Sequence, residues 1–330
     1  MYILKFQDIY KTPIWGGNKI GTFKGKQLNL ESVGESWEIS AVEGDLSVVA
    51  NGEDAGMTIA DLVARDGEKL MGHHVARYFG TTFPLLVKFI DAHDNLSIQV
   101  HPNDELARIK HNSFGKTEMW YVIDAEPGAG LYSGFSQNIT PEEYVERVAN
   151  NTIMDVLQFH QVSPGDVFYL PSGRIHAIGS GVFIAEIQQT SNITYRIYDY
   201  NRVDKNGKPR DLHTEQAREA IDFAMYDDLK SNYTPQRNKA VNLVDCPYFT
   251  TALLQLDTDC QREIAKYDSF MVYMCMQGSA TITANNSTYV TLKQGETCLV
   301  PAAIEQVEIH PTPTTSLLEC YVRDDSKIEQ

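Results

Sequence analysis

One phrase occurs twice in this chain of 330 residues. Gly165-Asp-Val-Phe-Tyr-Leu-Pro171-Ser-Gly173-Arg-Ile-His176 returns as Gly295-Glu-Thr-Cys-Leu-Val-Pro301-Ala-Ala303-Ile-Glu-Gln306. Upstream of each copy lies an apolar, strand-like run that ends in a turn, MWYVIDAEPG at 119–128 and FMVYMCMQG at 270–278. A repeated strand–turn–strand unit predicts two copies of one small antiparallel β-barrel. The last position separates them, His176 in the first copy and Gln306 in the second. Duplication followed by loss of chemistry in one copy puts the site in the first barrel. A histidine just beyond a Pro-x-Gly turn is held at a fixed, mouth-facing position.

The rest of the chain fits that frame. Residues 1–50 mix aromatic and β-branched residues with Gly and Pro, as extended segments broken by turns do. MTIADLVARDGEKLMG has helical spacing with Thr58 as its cap, NDELARIKHN starts at the capping residue Asn103, and TPEEYVERVANN opens on Thr-Pro-Glu-Glu. TTFPLLVKFIDAHDNLSIQVHP reads as two strands about a polar turn, and strands fill 156–200. HTEQAREAIDFAMYDDL reads as an amphipathic helix linking two bodies, and from about 240 the text is strand and turn. The reading is a mainly β chain of two antiparallel barrels with a few peripheral helices. Residues 1–235 form the first unit and 236–330 a second, degenerate one.

Composition excludes some partners. The net charge of −16 argues against nucleic acid, whose phosphates need a basic field. No run approaches the roughly 20 apolar residues of a membrane span, and no signal peptide is visible. Five cysteines without a C-x-x-C pattern read as reduced thiols of a cytoplasmic protein. The expected partner is a small molecule, bound by a monomer or small homo-oligomer.

Gln99 and His101 stand two apart in an alternating run, so both side chains leave one strand face. Glu118 heads the next long strand, and His176 follows the turn. Two imidazoles, one carboxylate and one amide oxygen suit Zn²⁺ or another borderline divalent ion with a position left open. Lys88, in PLLVKFI, must snorkel or enter the barrel. Lys116 is either a solvated edge lysine or a phosphate contact. His73 and His74 read as surface residues, and His93 and His111 as structural ones. Trp15, Gly16, Gly17, Glu35, Trp37 and Glu38 either close one side of the pocket or belong to the core.

Gly165, Pro171, Gly173 and His176 stand at the spacing of the second cupin motif, which the chain resembles, although Ser180 replaces the usual Asn. Gln99-Val-His101 replaces His-x-His, and the gap to Glu118 is longer than usual. Both departures are shared by the type I mannose-6-phosphate isomerases. The closer resemblance is to that family's short bacterial form, through Leu96–Asn103, Gly115-Lys-Thr-Glu118 and Gln188–Asp199. It implies a bicupin fold and one Zn²⁺ on Gln99, His101, Glu118 and His176. It also implies an active-site Arg196, substrate contacts from Lys88 and Lys116, and interconversion of mannose 6-phosphate and fructose 6-phosphate. Ser191-Asn192 stands where the family commonly has Ser-Asp, which leaves the general base open among a metal-bound hydroxide, Asp199 and a lysine. An iron-dependent cupin oxygenase and a non-catalytic sugar-binding bicupin are the alternatives.

Overall fold

The computed structural model describes residues 1–203, 206–227, 229–285, 287–312 and 314–323. Among these, the strands form four antiparallel sheets. The first runs Ile9–Lys11, Glu35–Ile39, Leu85–Ala92, Val182–Gln189, Glu118–Ala125, Val167–Leu170. The second runs Tyr195–Tyr198, Ile98–Val100, His176–Ile178, Gly130–Phe135, Leu157–Gln161. The third is Ala240–Asp245, Thr250–Leu256, Thr315–Tyr321, Met271–Gln277, Thr297–Val300, and the fourth Cys260–Glu263, Gln306–Pro311, Ser279–Ala284, Tyr289–Lys293.

The repeat seen in the sequence is a repeat of topology. When the eight strands from Leu85 to Gln189 are ranked along the chain, they pair in the orders 1-8-3-6 and 2-7-4-5. The eight strands from Thr250 to Tyr321 pair in the same two orders. The strand Leu85–Ala92 is buried along its whole length because both of its faces are covered. Leu85, Val87 and Phe89 point outward into a cluster shared with Leu253, Val272, Met274 and Leu318 of the second copy. Phe83 and Phe270 meet across the same seam, ring centres 4.5 Å apart. Leu86, Lys88 and Ile90 point the other way, between the first two sheets. Trp120, Phe168, Leu170 and Ile184 fill one end of that space and leave the other end to polar groups.

The peripheral helices begin where their caps predict. Thr58 and Asp61 form a reciprocal capping box on Ile59–Asp66. Asn103 accepts from Leu106 N at 2.9 Å, and Thr140 caps a helix with proline in its first turn. The helix expected across 213–229 is shorter, covering Thr214–Ala220. It stops because the backbone at Asp222 is recruited elsewhere: its N–H donates to Gly173 O at 2.8 Å, and its side chain takes Ala224 N. This helix does not link two bodies. Its Ala217 packs with Ile98, Tyr144 and Tyr195 inside the first copy. All five cysteines are free, four of them buried. No helix among the described residues is long and apolar enough to cross a membrane.

Candidate metal centre

The polar end of the first sandwich is built from facing rows of side chains, one on the second sheet and two on the first. On the second sheet, Arg196 pairs with Gln99, Gln99 with His176, and His176 with Ser133. Residues directly opposite in antiparallel strands share a face, so these four side chains stand in line. On the first sheet one row is Leu86–Gln188–Glu118–Leu170, and the next is Trp37–Lys88–Glu186–Trp120–Phe168. Strand alternation and register alone thus aim Glu118 at Gln99 and His176. His101 follows the end of the strand Ile98–Val100 and completes the group.

His101, Glu118 and His176 offer donor atoms that all lie within 4.8 Å of one another. His176 Nε2 is 3.2 Å from Glu118 Oε1, and His101 Nε2 is 3.4 Å from Glu118 Oε2. Each imidazole is oriented by a backbone carbonyl on its other nitrogen, His101 Nδ1 by Ile193 O at 2.9 Å and His176 Nδ1 by Arg174 O at 2.8 Å. Those carbonyls take the Nδ1 protons and leave both Nε2 lone pairs facing inward. The turn that delivers His176 is stitched to its neighbours. Gly173 donates to His101 O at 2.9 Å and adopts φ +90°, and a Cβ there would lie 3.0 Å from Ala220 O.

The electrostatics favour a cation. Burial holds both imidazoles in their neutral, ligating form, His176 down to about 3 and His101 well below its usual value. Burial, and then the neighbouring Glu186, push Glu118 up to about 7. Neither buried oxygen of Glu118 receives a well-directed hydrogen bond among the described residues. Two inward-facing imidazole nitrogens beside an under-satisfied carboxylate form a donor set that fits a borderline divalent ion. Gln99 turns its amide nitrogen to His176 Nε2 at 3.4 Å; a half-turn of the amide presents Oε1 instead.

Each lysine expected at the site is buried there. Lys116 Nζ lies 3.1 Å from both His101 Nε2 and Glu118 Oε2, so it is no solvated edge lysine. Lys88 Nζ lies 2.9 Å from Glu186 Oε1 and 3.2 Å from Glu35 Oε2. Burial alone would draw Lys88 down, but the two carboxylates hold it above its usual value. Arg196 is half-buried at the end of the ligand row, and its Nη1 donates to Asp211 O at 3.0 Å. Glu35 and Trp37 line the Lys88 side, whereas Glu38 points to the opposite face and pairs with Lys24 at 2.6 Å. Asp199 is engaged in a clamp by Arg202 and Arg210 that holds its carboxyl below the usual range. That removes it from the candidate bases.

Two groups escaped the reading of the sequence. Glu186 is buried, accepts from Trp120 Nε1 at 2.7 Å, and stays ionised because Lys88 and Lys116 outweigh its burial. Gln189 holds the strand entry in place, accepting from Thr117 N at 2.8 Å and donating to Asp104 Oδ1 at 3.0 Å. Glu186 was legible as a lone carboxylate in the apolar run VFIAEIQQ, two residues from the quoted Gln188 motif. Clefts of about 580 and 590 Å³ elsewhere on the molecule contain neither the candidate ligands nor Lys88, Lys116 or Glu186; the donor set, not volume, marks the site.

Comparison with known proteins decides the family. Residues 3–126 match the catalytic domain of type I phosphomannose isomerase, and residues 239–315 match the cupin domain of mannose-6-phosphate isomerase. Mannose-6-phosphate isomerase ManA of Bacillus subtilis strain 168 is 33% identical over 309 residues, 93% of this chain and 95% of that protein. The chain belongs to the type I phosphomannose isomerase family. A mannose-6-phosphate isomerase of Streptococcus mutans is 35% identical over 88% of this chain and 90% of its own length. The crystal structure of the mannose 6-phosphate isomerase from Bacillus subtilis superposes with a TM-score of 0.87 at 29% identity, covering 97% of this chain and 99% of that one.

Proposed function

We propose that this chain is a zinc-dependent mannose-6-phosphate isomerase, which interconverts mannose 6-phosphate and fructose 6-phosphate by moving a proton between C1 and C2. The observation that carries the reading is the buried His101–Glu118–His176 group inside a chain of this family. Gln99, His101, Glu118 and His176 hold the ion. When bound, the ion acts as a Lewis acid on the substrate oxygens, where negative charge develops in the enediol. Arg196, beside Gln99 in the ligand row, offers a fixed guanidinium fork to that charge or to the phosphate. Lys88 stays charged between Glu35 and Glu186 and contacts the substrate from the first sheet. Lys116 Nζ adjoins two ligand side chains, 3.1 Å from His101 Nε2 and from Glu118 Oε2. With Asn192 unable to take a proton and Asp199 clamped, Lys116 is the candidate for holding the migrating proton. The chain is read as a bicupin, with 1–235 as the catalytic unit and 236–330 as a unit without metal ligands.

A coupled assay for fructose 6-phosphate formed from mannose 6-phosphate tests this, run before chelation, after it, and after zinc is returned. Activity should vanish with the metal and come back with it. A folded, zinc-replete sample without turnover would refute the reading.

A further inference from the structure

Gln188 is fully buried in the first sheet. It sits directly opposite Glu118, so its side chain enters the same space between the sheets. Its amide is locked. Nε2 donates to Gln189 O at 2.8 Å and to Ser191 O at 2.7 Å, and exchanging nitrogen for oxygen would set an acceptor against two acceptors. Oε1 is therefore directed away from that turn, and it is shielded from solvent. No hydrogen-bond donor among the described residues reaches it. Leaving such an oxygen unpaired is costly. The neighbouring cations do not fill the gap: Lys116 is held by His101 and Glu118, and Lys88 by Glu35 and Glu186. An amide fixed by two bonds, its acceptor unpaired on the strand face it shares with Glu118, suits an O–H group that enters between the sheets.

We infer that Gln188 Oε1 accepts a hydrogen bond from a non-reacting hydroxyl of the bound sugar, and so sets specificity for the hydroxylated substrate. The inference rests on the isomerase reading above. A buried acceptor rejects an analogue lacking its donor far more strongly than an apolar pocket rejects a change of size. Gln188 is thus a specificity residue with no part in the proton transfer. The other O–H that could meet Oε1 is a metal-bound water, and the experiment separates the two.

The test compares kcat/KM for mannose 6-phosphate with its 3-deoxy and 4-deoxy analogues, in the zinc-loaded wild type and in Gln188→Met. The wild type should handle one analogue about tenfold or more worse than the parent. Gln188→Met should lose roughly that factor on the parent, treat parent and analogue alike, and keep its zinc. A merely structural role would lower both substrates together and leave their ratio unchanged, which overturns the inference. Loss of zinc with the ratio preserved assigns the acceptor to a metal-bound water and also overturns it. The wild type decides even if Gln188→Met fails to fold, because equal turnover of parent and both analogues refutes the hydroxyl contact. A wild type that does not turn over mannose 6-phosphate at all refutes the isomerase reading itself, and the inference falls with it.

Discussion

Leu170 and Val300 occupy the same place in two copies of one strand order, each just before the proline of its turn, and each pairs with a residue that points between two sheets. In the first copy that partner is Glu118, and in the second it is Met271. Beside them the copies stay alike for one more step. Trp120 and Tyr273 each donate to a buried carboxylate on the adjacent strand, Glu186 at 2.7 Å and Glu319 at 3.0 Å. Lys88 neutralises the first carboxylate and Arg262 the second. Gln99 faces His176 in the first copy, and Glu263 faces Gln306 in the second. Both copies of this topology therefore carry an aromatic–carboxylate–cation unit, and only in the first do the residues around it include the His101–Glu118–His176 group that could hold a metal. Where Glu118 becomes Met271, the interior fills with Leu254, Ile282 and Leu317.

The sharpest way to break this comparison is to mutate the position that ends each repeat. His176→Ala should lose bound metal and lower kcat by about a thousandfold or more, since removing one member of a unit disables the whole. Gln306→Ala should change neither, because it is partly exposed and ligates nothing. Equal effects, read by metal content per chain and turnover, would show that the two copies are not divided in this way.

A smaller difference should separate the two buried carboxylates. Glu186→Gln leaves Lys88 short of a counter-charge beside Glu118, and should lower kcat by about a hundredfold. Glu319→Gln should leave kcat unchanged but lower stability by about 2 kcal/mol, because partly buried Arg262 loses its counter-charge and one of its two acceptor oxygens. Thermal melting and steady-state rates on both variants check the contrast; a catalytic loss in Glu319→Gln would mean that the second copy acts on the site.

Much of this was readable beforehand, and the parts that were not have physical causes. The twin turns betrayed the duplicated topology because glycine and proline are demanded by local geometry. Gln99 was legible as inward-facing because strand alternation is a rule of two residues, whereas His101 lies just past the end of that strand. Glu186 was hidden because its role depends on register across three strands, which a single sequence does not print. The overlong helix after His213 failed for a related reason: its periodicity was sound, but Gly173, 49 residues upstream of Asp222, took that residue's backbone N–H. Lys88 was undecided between surface and site because the cover on the outer face of Leu85–Ala92 comes from distant parts of the chain, Phe23 near the N-terminus and the second copy among them.

The gentlest test uses protons. Burial and Glu186 raise the Glu118 carboxyl to about 7, and only its ionised form holds a cation. Below that pH the metal must displace a proton, so affinity should weaken by up to about tenfold per unit as the solution is acidified. Neutral His176, held down to about 3, adds nothing until far more acid conditions. Met271 carries no proton at the matching place, so this dependence belongs to the first copy alone. Metal affinity measured by chelator competition between pH 5 and 8 should bend near 7, with one proton released per ion on the acid side. In Glu186→Gln the bend should move lower, because the carboxylate that raises Glu118 has been made neutral. A bend that stays near 7 in that variant would mean burial alone sets it, and that the carboxylate shared by both copies is only scaffold in each.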